Sequence, residues 1–209
     1  MSLHPTRRLW LALATALATG LAALPPAWAN PAGAEALVRD LSTRVLDAVK
    51  ADPEIQAGQV TKVIALVDQM LLPHLNFERM TASAVGRQWR SATPEQRERL
   101  QTEFKALLVR TYAGALSQVK DQTIQLRPMR ARPEDTEVVV RTEVRGGGEP
   151  IQLDYRLEKS GDAWKIYDVN VLGIWLVDQY RSSFAQELSN GGIDGLIARL
   201  AERNAAARR

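Results

Sequence analysis

Four side chains in the strand-rich half of the chain have types that proton transfer uses: Asp154 beside Tyr155, and Tyr167 beside Asp168. A Tyr and Asp pair facing an apolar pocket can pass protons to and from a small apolar substrate. That enzyme reading stays as the alternative, because Tyr and Asp on neighbouring strands also serve as packing and solvent-facing polar residues, and this second role is the expected one. Other chemistry is sparse. The sequence has no cysteine and two histidines, His4 and His74, so thiol nucleophiles and His-rich zinc sites are unavailable. His74 follows Pro73 at the end of a helical run, where an imidazole at a helix C-terminus is the ordinary reading. Asp162, Asp168 and Asp178 fall on a turn, a strand and a helix face, without the clustered spacing of a calcium loop. No catalytic residue, metal site or cofactor is expected.

The elements that hold these residues read clearly from periodicity. Leu37, Leu41, Val45 and Val49 recur at helical spacing, as do Val60, Val63, Ile64, Val67 and Leu71, with Pro73 ending the second run. Asn76 is placed to cap a short helix through Val85. Thr93-Pro94-Glu95-Gln96 is a capping box with proline at the first helical position, opening a long helix with the stripe Leu100, Phe104, Leu107, Leu108, Thr111 and Ala115. From Gln122 the period becomes 2: Ile124 and Leu126, then Val138, Val140, Thr142 and Val144, then Ile151, Leu153, Tyr155 and Leu157 alternate with partners that are polar apart from Val139. Gly146-Gly147-Gly148 and Gly161-Asp162 join successive strands into antiparallel hairpins. In the fourth strand Trp164 and Ile166 point one way while Tyr167, Val169 and Val171 point the other, so either a bulge reverses the phase or the strand is covered on both sides. Ile174, Val177, Tyr180, Phe184 and Leu188 form the stripe of the helix after Gly173. Gly191-Gly192 separates it from a last helix carrying Ile193, Leu196, Ile197 and Leu200, and Ala205 to Arg209 reads as a fraying tail. The expectation is α+β: a helical layer packed on a curved four-stranded antiparallel sheet.

The N-terminus reads as a leader. Arg7 and Arg8 precede the uncharged run Leu9 to Leu24, Pro25 and Pro26 close it, and Ala27-Trp28-Ala29 supplies small residues at the cleavage positions. The run is about sixteen residues, short of the roughly twenty that cross a bilayer. Thr6 to Leu11 also fits a twin-arginine signal, so either export route is open. Residues 1–29 are expected to be a signal peptide cut after Ala29, and 30–209 one domain in the periplasm. The leader holds two of the 27 basic residues and none of the 24 acidic ones, so its loss leaves 25 against 24. A nearly neutral chain without a basic stripe is not expected to bind nucleic acid, since Glu134 and Asp135 directly follow Arg127, Arg130 and Arg132.

Two stretches resemble a known family. Ala163-Trp164-Lys165-Ile166-Tyr167-Asp168-Val169, continuing through Gly173-Ile174-Trp175-Leu176-Val177-Asp178-Gln179-Tyr180, is similar to the strand-to-helix signature of the MlaC family, periplasmic phospholipid-binding proteins also called the toluene-tolerance auxiliary family. Leu71-Leu72-Pro73-His74-Leu75-Asn76-Phe77-Glu78-Arg79-Met80, with Gly86-Arg87-Gln88-Trp89-Arg90 and Thr93-Pro94, matches that family's central motif in order and spacing. The resemblance implies a cone-shaped roll related to nuclear transport factor 2, with acyl chains held inside and the head group outside. It further implies passage of phospholipid between an outer-membrane lipoprotein/porin complex and an inner-membrane ABC lipid transporter complex, maintaining outer-membrane lipid asymmetry. Trp175 stands where the family has a small Ser, and Asn76 where it has Asp. Burying a methylene is worth about 0.8 kcal/mol, so two acyl chains of roughly thirty methylenes face on the order of 20 kcal/mol against crossing water unaided. A carrier of this kind needs an apolar cavity rather than a cofactor. The residues expected to line it are Val138, Val140, Leu153, Tyr155, Val171, Ile174, Val177 and Tyr180, with Leu108 and Tyr112 from the long helix.

Overall fold

Asn30 caps the first helix, its Oδ1 accepting from the Gly33 amide at 3.2 Å, with Pro31 pre-set for the first helical position. The structure is a computed structural model and describes residues 30–206 apart from Gly147, so the expected leader and the last three residues of the tail lie outside the described residues. Helix α1 (Pro31–Ala51) runs into the single turn α2 (Pro53–Gln56) and then α3 (Val60–Leu66). The second helical run is regular only to Leu66. It widens to a π turn at Val67–Leu71 and tightens to a 3-10 turn at Leu72–His74, since Pro73 has no N–H for the ladder and its ring clashes with the preceding turn. Asn76 then caps α4 (Phe77–Val85) through the Arg79 amide at 2.9 Å. A 3-10 stretch, Gly86–Ser91, leads to α5 (Pro94–Leu116), which opens with the expected reciprocal capping box of Thr93 and Gln96.

The sheet has five strands where four were expected: β1 (Thr123–Leu126), β2 (Glu137–Arg145), β3 (Ile151–Ser160), β4 (Ala163–Val171) and β5 (Ile174–Trp175), in that order and antiparallel throughout. The added strand is two residues long and comes from the segment read as the start of a helix, so helix α6 (Leu176–Ala206) begins later than expected. It runs through the Gly191-Gly192 break with a kink at Gly192, at φ 61° and ψ −157°. A bulge resolves the phase of β4. Leu157 pairs with Ile166 and Arg156 with Asp168, leaving Tyr167 as the extra residue. Trp164 and Ile166 before it, and Val169 and Val171 after it, therefore share one face.

The helices pack in three apolar clusters, two of them against that face. Ala34, Val38 and Leu41 of α1 lie on Val138, Val140, Leu157, Trp164 and Ile166. Met80 and Ala84 of α4, Leu100 and Phe104 of α5, and Tyr180, Phe184 and Leu188 of α6 form a second, in which Phe104 meets Tyr180 and Phe184 edge-on at 5.0 and 5.3 Å. Val49, Ile55, Val63, Val109 and Ala113 make the third. Helix α5 is thus buried on two sides in its C-terminal half. This shifts its stripe from Thr111 and Ala115, which are exposed, to Val109 and Ala113. No described helix is long and apolar enough to cross a membrane.

Candidate functional site: the inner face of the sheet

Pairing in an antiparallel sheet puts partners on the same face, so the register fixes which candidate residues meet. Val140 pairs with Tyr155 and Tyr155 with Val169, while Thr142 pairs with Leu153 and Leu153 with Val171. All face inward. Val138 and Val140 are buried beneath α1, and Val177 and Tyr180 are buried in the cluster of α4, α5 and α6. Between these two packed regions Leu153, Tyr155 and Val171 are half-buried, as are Leu108 and Tyr112 on α5. Val169, which was not among the candidates, touches both clusters; its signal lay in the return of apolar alternation after the bulge. Ile174 is not part of the buried stripe of α6. It sits in β5, paired with Val171, and is 55% exposed.

The inner face is poor in charge. Its polar atoms are hydroxyls: burial raises the pKa of Tyr155, opposed by hydrogen bonding to Ser42 and Thr142, and burial likewise raises Tyr112 and Tyr180. Thr142 donates to the Leu153 carbonyl at 2.7 Å. Five inward residues from two strands and α5 therefore present apolar surface with weak donors, an arrangement suited to alkyl chains rather than to charged ligands.

The outward face holds the charges, and the Tyr and Asp constellation divides between the two faces. Asp154 and Asp168 alternate with Tyr155 and Val169, so Tyr155 and both carboxylates lie on opposite sides. Tyr167 sits at the bulge under the Arg79 guanidinium, 3.6 Å from its ring centroid, and its hydroxyl donates to Glu137 at 3.2 Å. Arg79 also pairs with Glu158, whose other oxygen accepts from the Asn76 side-chain Nδ2 at 2.6 Å. The expected solvent-facing role of Asp168 and Asp154 is corrected: both are buried. Asp168 accepts from the Val177 amide at 3.0 Å, capping the first turn of α6 from β4, from the Val169 amide at 2.9 Å and from Arg156 at 2.8 Å. Arg156 stacks on the Trp175 ring at 3.8 Å and lies 3.7 Å from Asp178. The strand-to-helix junction is covered by its own aromatic and ion pair, which is why Asp168 leaves water, whereas Asp154 accepts from the Gln152 side-chain amide at 2.6 Å.

His74 is half-buried at its 3-10 turn, its pKa lowered by burial and by nearby Lys165 and Arg44. No group of three or more metal-ligating side chains occurs among the described residues. A groove of about 760 Å³ lies away from the inner face, between the 3-10 stretch and α6, lined by Arg87, Trp89, Arg90, Arg181, Ala185 and Leu188 among others.

Fold and site together define an α+β protein whose sheet turns an apolar face toward its helices and its charges outward. The family model described as MlaC protein matches residues 39–202. The chain belongs to the MlaC family. It is 28% identical over 178 residues to toluene tolerance protein ttg2D of Pseudomonas putida, covering 82% of this chain and 83% of that one. It is 27% identical over 139 residues to the intermembrane phospholipid transport system binding protein MlaC of Haemophilus influenzae, covering 65% of each. Among solved structures it is similar to the phospholipid-binding protein of Ralstonia solanacearum in complex with a phospholipid, at 47% identity and a TM-score of 0.82 over 84% of this chain and 99% of that one.

Proposed function

We propose that this protein is a periplasmic phospholipid carrier, exported by cleavage of residues 1–29, that takes lipid between an outer-membrane lipoprotein/porin complex and an inner-membrane ABC transporter and so maintains outer-membrane lipid asymmetry. The observation that carries the reading is the half-buried apolar strip on the inner face, in a fold shared at a TM-score of 0.82 with a protein solved with phospholipid bound. Acyl chains lie along Leu153, Tyr155 and Val171 and against Leu108 and Tyr112. Val138, Val140, Val177 and Tyr180 form the walls behind them, and Ile174 stands at the open end. The head group stays in water, where the chain needs no cofactor. The protein is a carrier rather than an enzyme: Tyr155 and the two carboxylates face opposite ways, so no acid–base pair meets a substrate on the inner face.

Burial of acyl methylenes at about 0.8 kcal/mol each holds the cargo, while energy for net movement belongs to the partner complexes. The test is to produce the full chain in a Gram-negative periplasm, purify it, extract it with organic solvent and identify the extract by mass spectrometry. Phospholipid near stoichiometry is expected. A blank extract from folded protein overturns the reading.

A further inference from the structure

Ile151, Leu172 and Ile174 are the exposed large hydrophobic residues of the described chain, at 43%, 66% and 55%. All three gather at one end of the sheet. Val171 pairs with Ile174 across the turn from β4 to β5, Ile151 lies two residues from Leu153, the partner of Val171, and the Leu172 amide donates to the Gln152 carbonyl at 3.1 Å. Side chains two apart along a strand, or paired across it, share a face, so Ile151 and Ile174 belong to the inner face. Along β3 that face passes from buried Leu157 through half-buried Tyr155 and Leu153 to exposed Ile151. The apolar strip does not stop where the helices stop covering it.

Leu172 adds a second, independent sign. It is the only non-glycine residue with positive φ among the described residues, at 52°, and Gly173 follows at 90°. Two positive φ values in a two-residue hairpin loop are the requirement of a type I′ turn, which favours Asn-Gly or Asp-Gly. A leucine there meets backbone strain and leaves an alkyl group in water, both of which oppose stability. The turn is nonetheless held firmly, because Asn170 Oδ1 accepts from the Gly173 amide at 2.8 Å. A strained, exposed apolar residue on a fixed turn is what a functional position looks like.

We infer that Ile151, Leu172 and Ile174 form an apolar lip over which acyl chains of the cargo phospholipid enter and leave the inner face. The inference rests on the carrier reading above. A chain sliding out along this lip exchanges Leu153 and Val171 for Ile174, Ile151 and Leu172 before it meets water, so the lip lowers the barrier to transfer while adding little to the affinity of the seated lipid. Rate and occupancy should therefore separate.

Leu172→Asn separates them most sharply, since Asn is favoured in this turn and removes the apolar group. Ile151→Ser makes the same cut at an exposed neighbour. The full-length, exported proteins would be assayed for copurified phospholipid, for Tm, and for moving pyrene-labelled phosphatidylglycerol between phosphatidylethanolamine/phosphatidylglycerol vesicles with no partner protein present. The expected result is Tm for Leu172→Asn at or above the parent, copurified lipid unchanged, and transfer roughly tenfold slower in both variants, the effect of losing about one buried aliphatic side chain from the transfer barrier. Parent-like transfer in both variants overturns the lip while leaving the carrier reading intact, and includes the case in which this corner docks a partner protein instead. A parent that neither holds nor moves phospholipid overturns the carrier reading, and the lip with it.

Discussion

Asp168 shows how much of this architecture rests on a residue turned away from the inner face. Its carboxylate holds the start of α6, the amide that follows it in β4 and the Arg156 guanidinium. Asp168→Ala would leave the buried Val177 amide without its acceptor and take from Arg156, itself part-exposed, the nearer of its two carboxylates, and should destabilise the fold by about 2 kcal/mol, the scale of an orphaned buried donor; Asp168→Asn, which keeps an acceptor, should cost less. Chemical denaturation with m-values compared checks the order, and an Ala variant as stable as the parent would show that the junction stands without this group. Burial raises the Asp168 pKa despite the Val177 amide and Arg156. The folded state then binds the proton more tightly than the unfolded one, so this group's contribution to stability falls as pH rises from the ordinary aspartate value through the raised folded value, and levels above it. Asp168→Asn should flatten the stability profile in that window. The sequence did not reveal this burial. Simple alternation sends Asp168 to a wet face, and what dries that face is Trp175 and Arg156 brought together by a five-strand register invisible from β4 alone.

At the level of elements, what is encoded locally was legible. Thr93 and Gln96 stand three residues apart, and their capping box forms as the motif requires. Thr93→Ala should cost about 1 kcal/mol by leaving the Gln96 backbone amide unpartnered, read as a shift in the urea midpoint at unchanged m-value; an unshifted midpoint would mean that the packing of α5 alone fixes its start. What depends on distant partners was not legible. The Ile174–Trp175 strand exists because Val171 and Asn170 offer edge groups to pair with, and two residues carry no period. The stripe of α5 moved because α2 and α3 pack on its far side, a contact no heptad count contains. The bulge at Tyr167 was readable as one of two alternatives, and only pairing with β3 chose between them. The inward rows of β2 and β3 were plain in the sequence, yet periodicity does not say which inward residues meet a helix and which meet space: Val140 and Tyr155 are direct partners, one buried under α1 and the other half-buried.

For the molecule as a whole, the proposed cut after Ala29 and the fold meet at a single residue. Asn30 caps α1 through its side chain, and its carbonyl accepts from the Trp164 indole at 3.0 Å, joining the first helix to β4 across the cluster that covers Val138 and Val140. Cleavage one residue later would delete both contacts; cleavage after Ala29 keeps both and leaves the new α-amino group beside the cap. With the cut proposed after Ala29, the chain would begin at the residue whose side-chain cap and carbonyl hold α1 to β4. N-terminal sequencing of protein recovered from a Gram-negative periplasm should begin at Asn30. A start that retains Leu9 to Leu24 would overturn the leader, and with it the compartment in which the proposed carrier works. A start beyond Asn30 would leave the leader intact but show that neither the cap nor the indole bond is required, which a Tm equal to that of a chain starting at Asn30 would confirm.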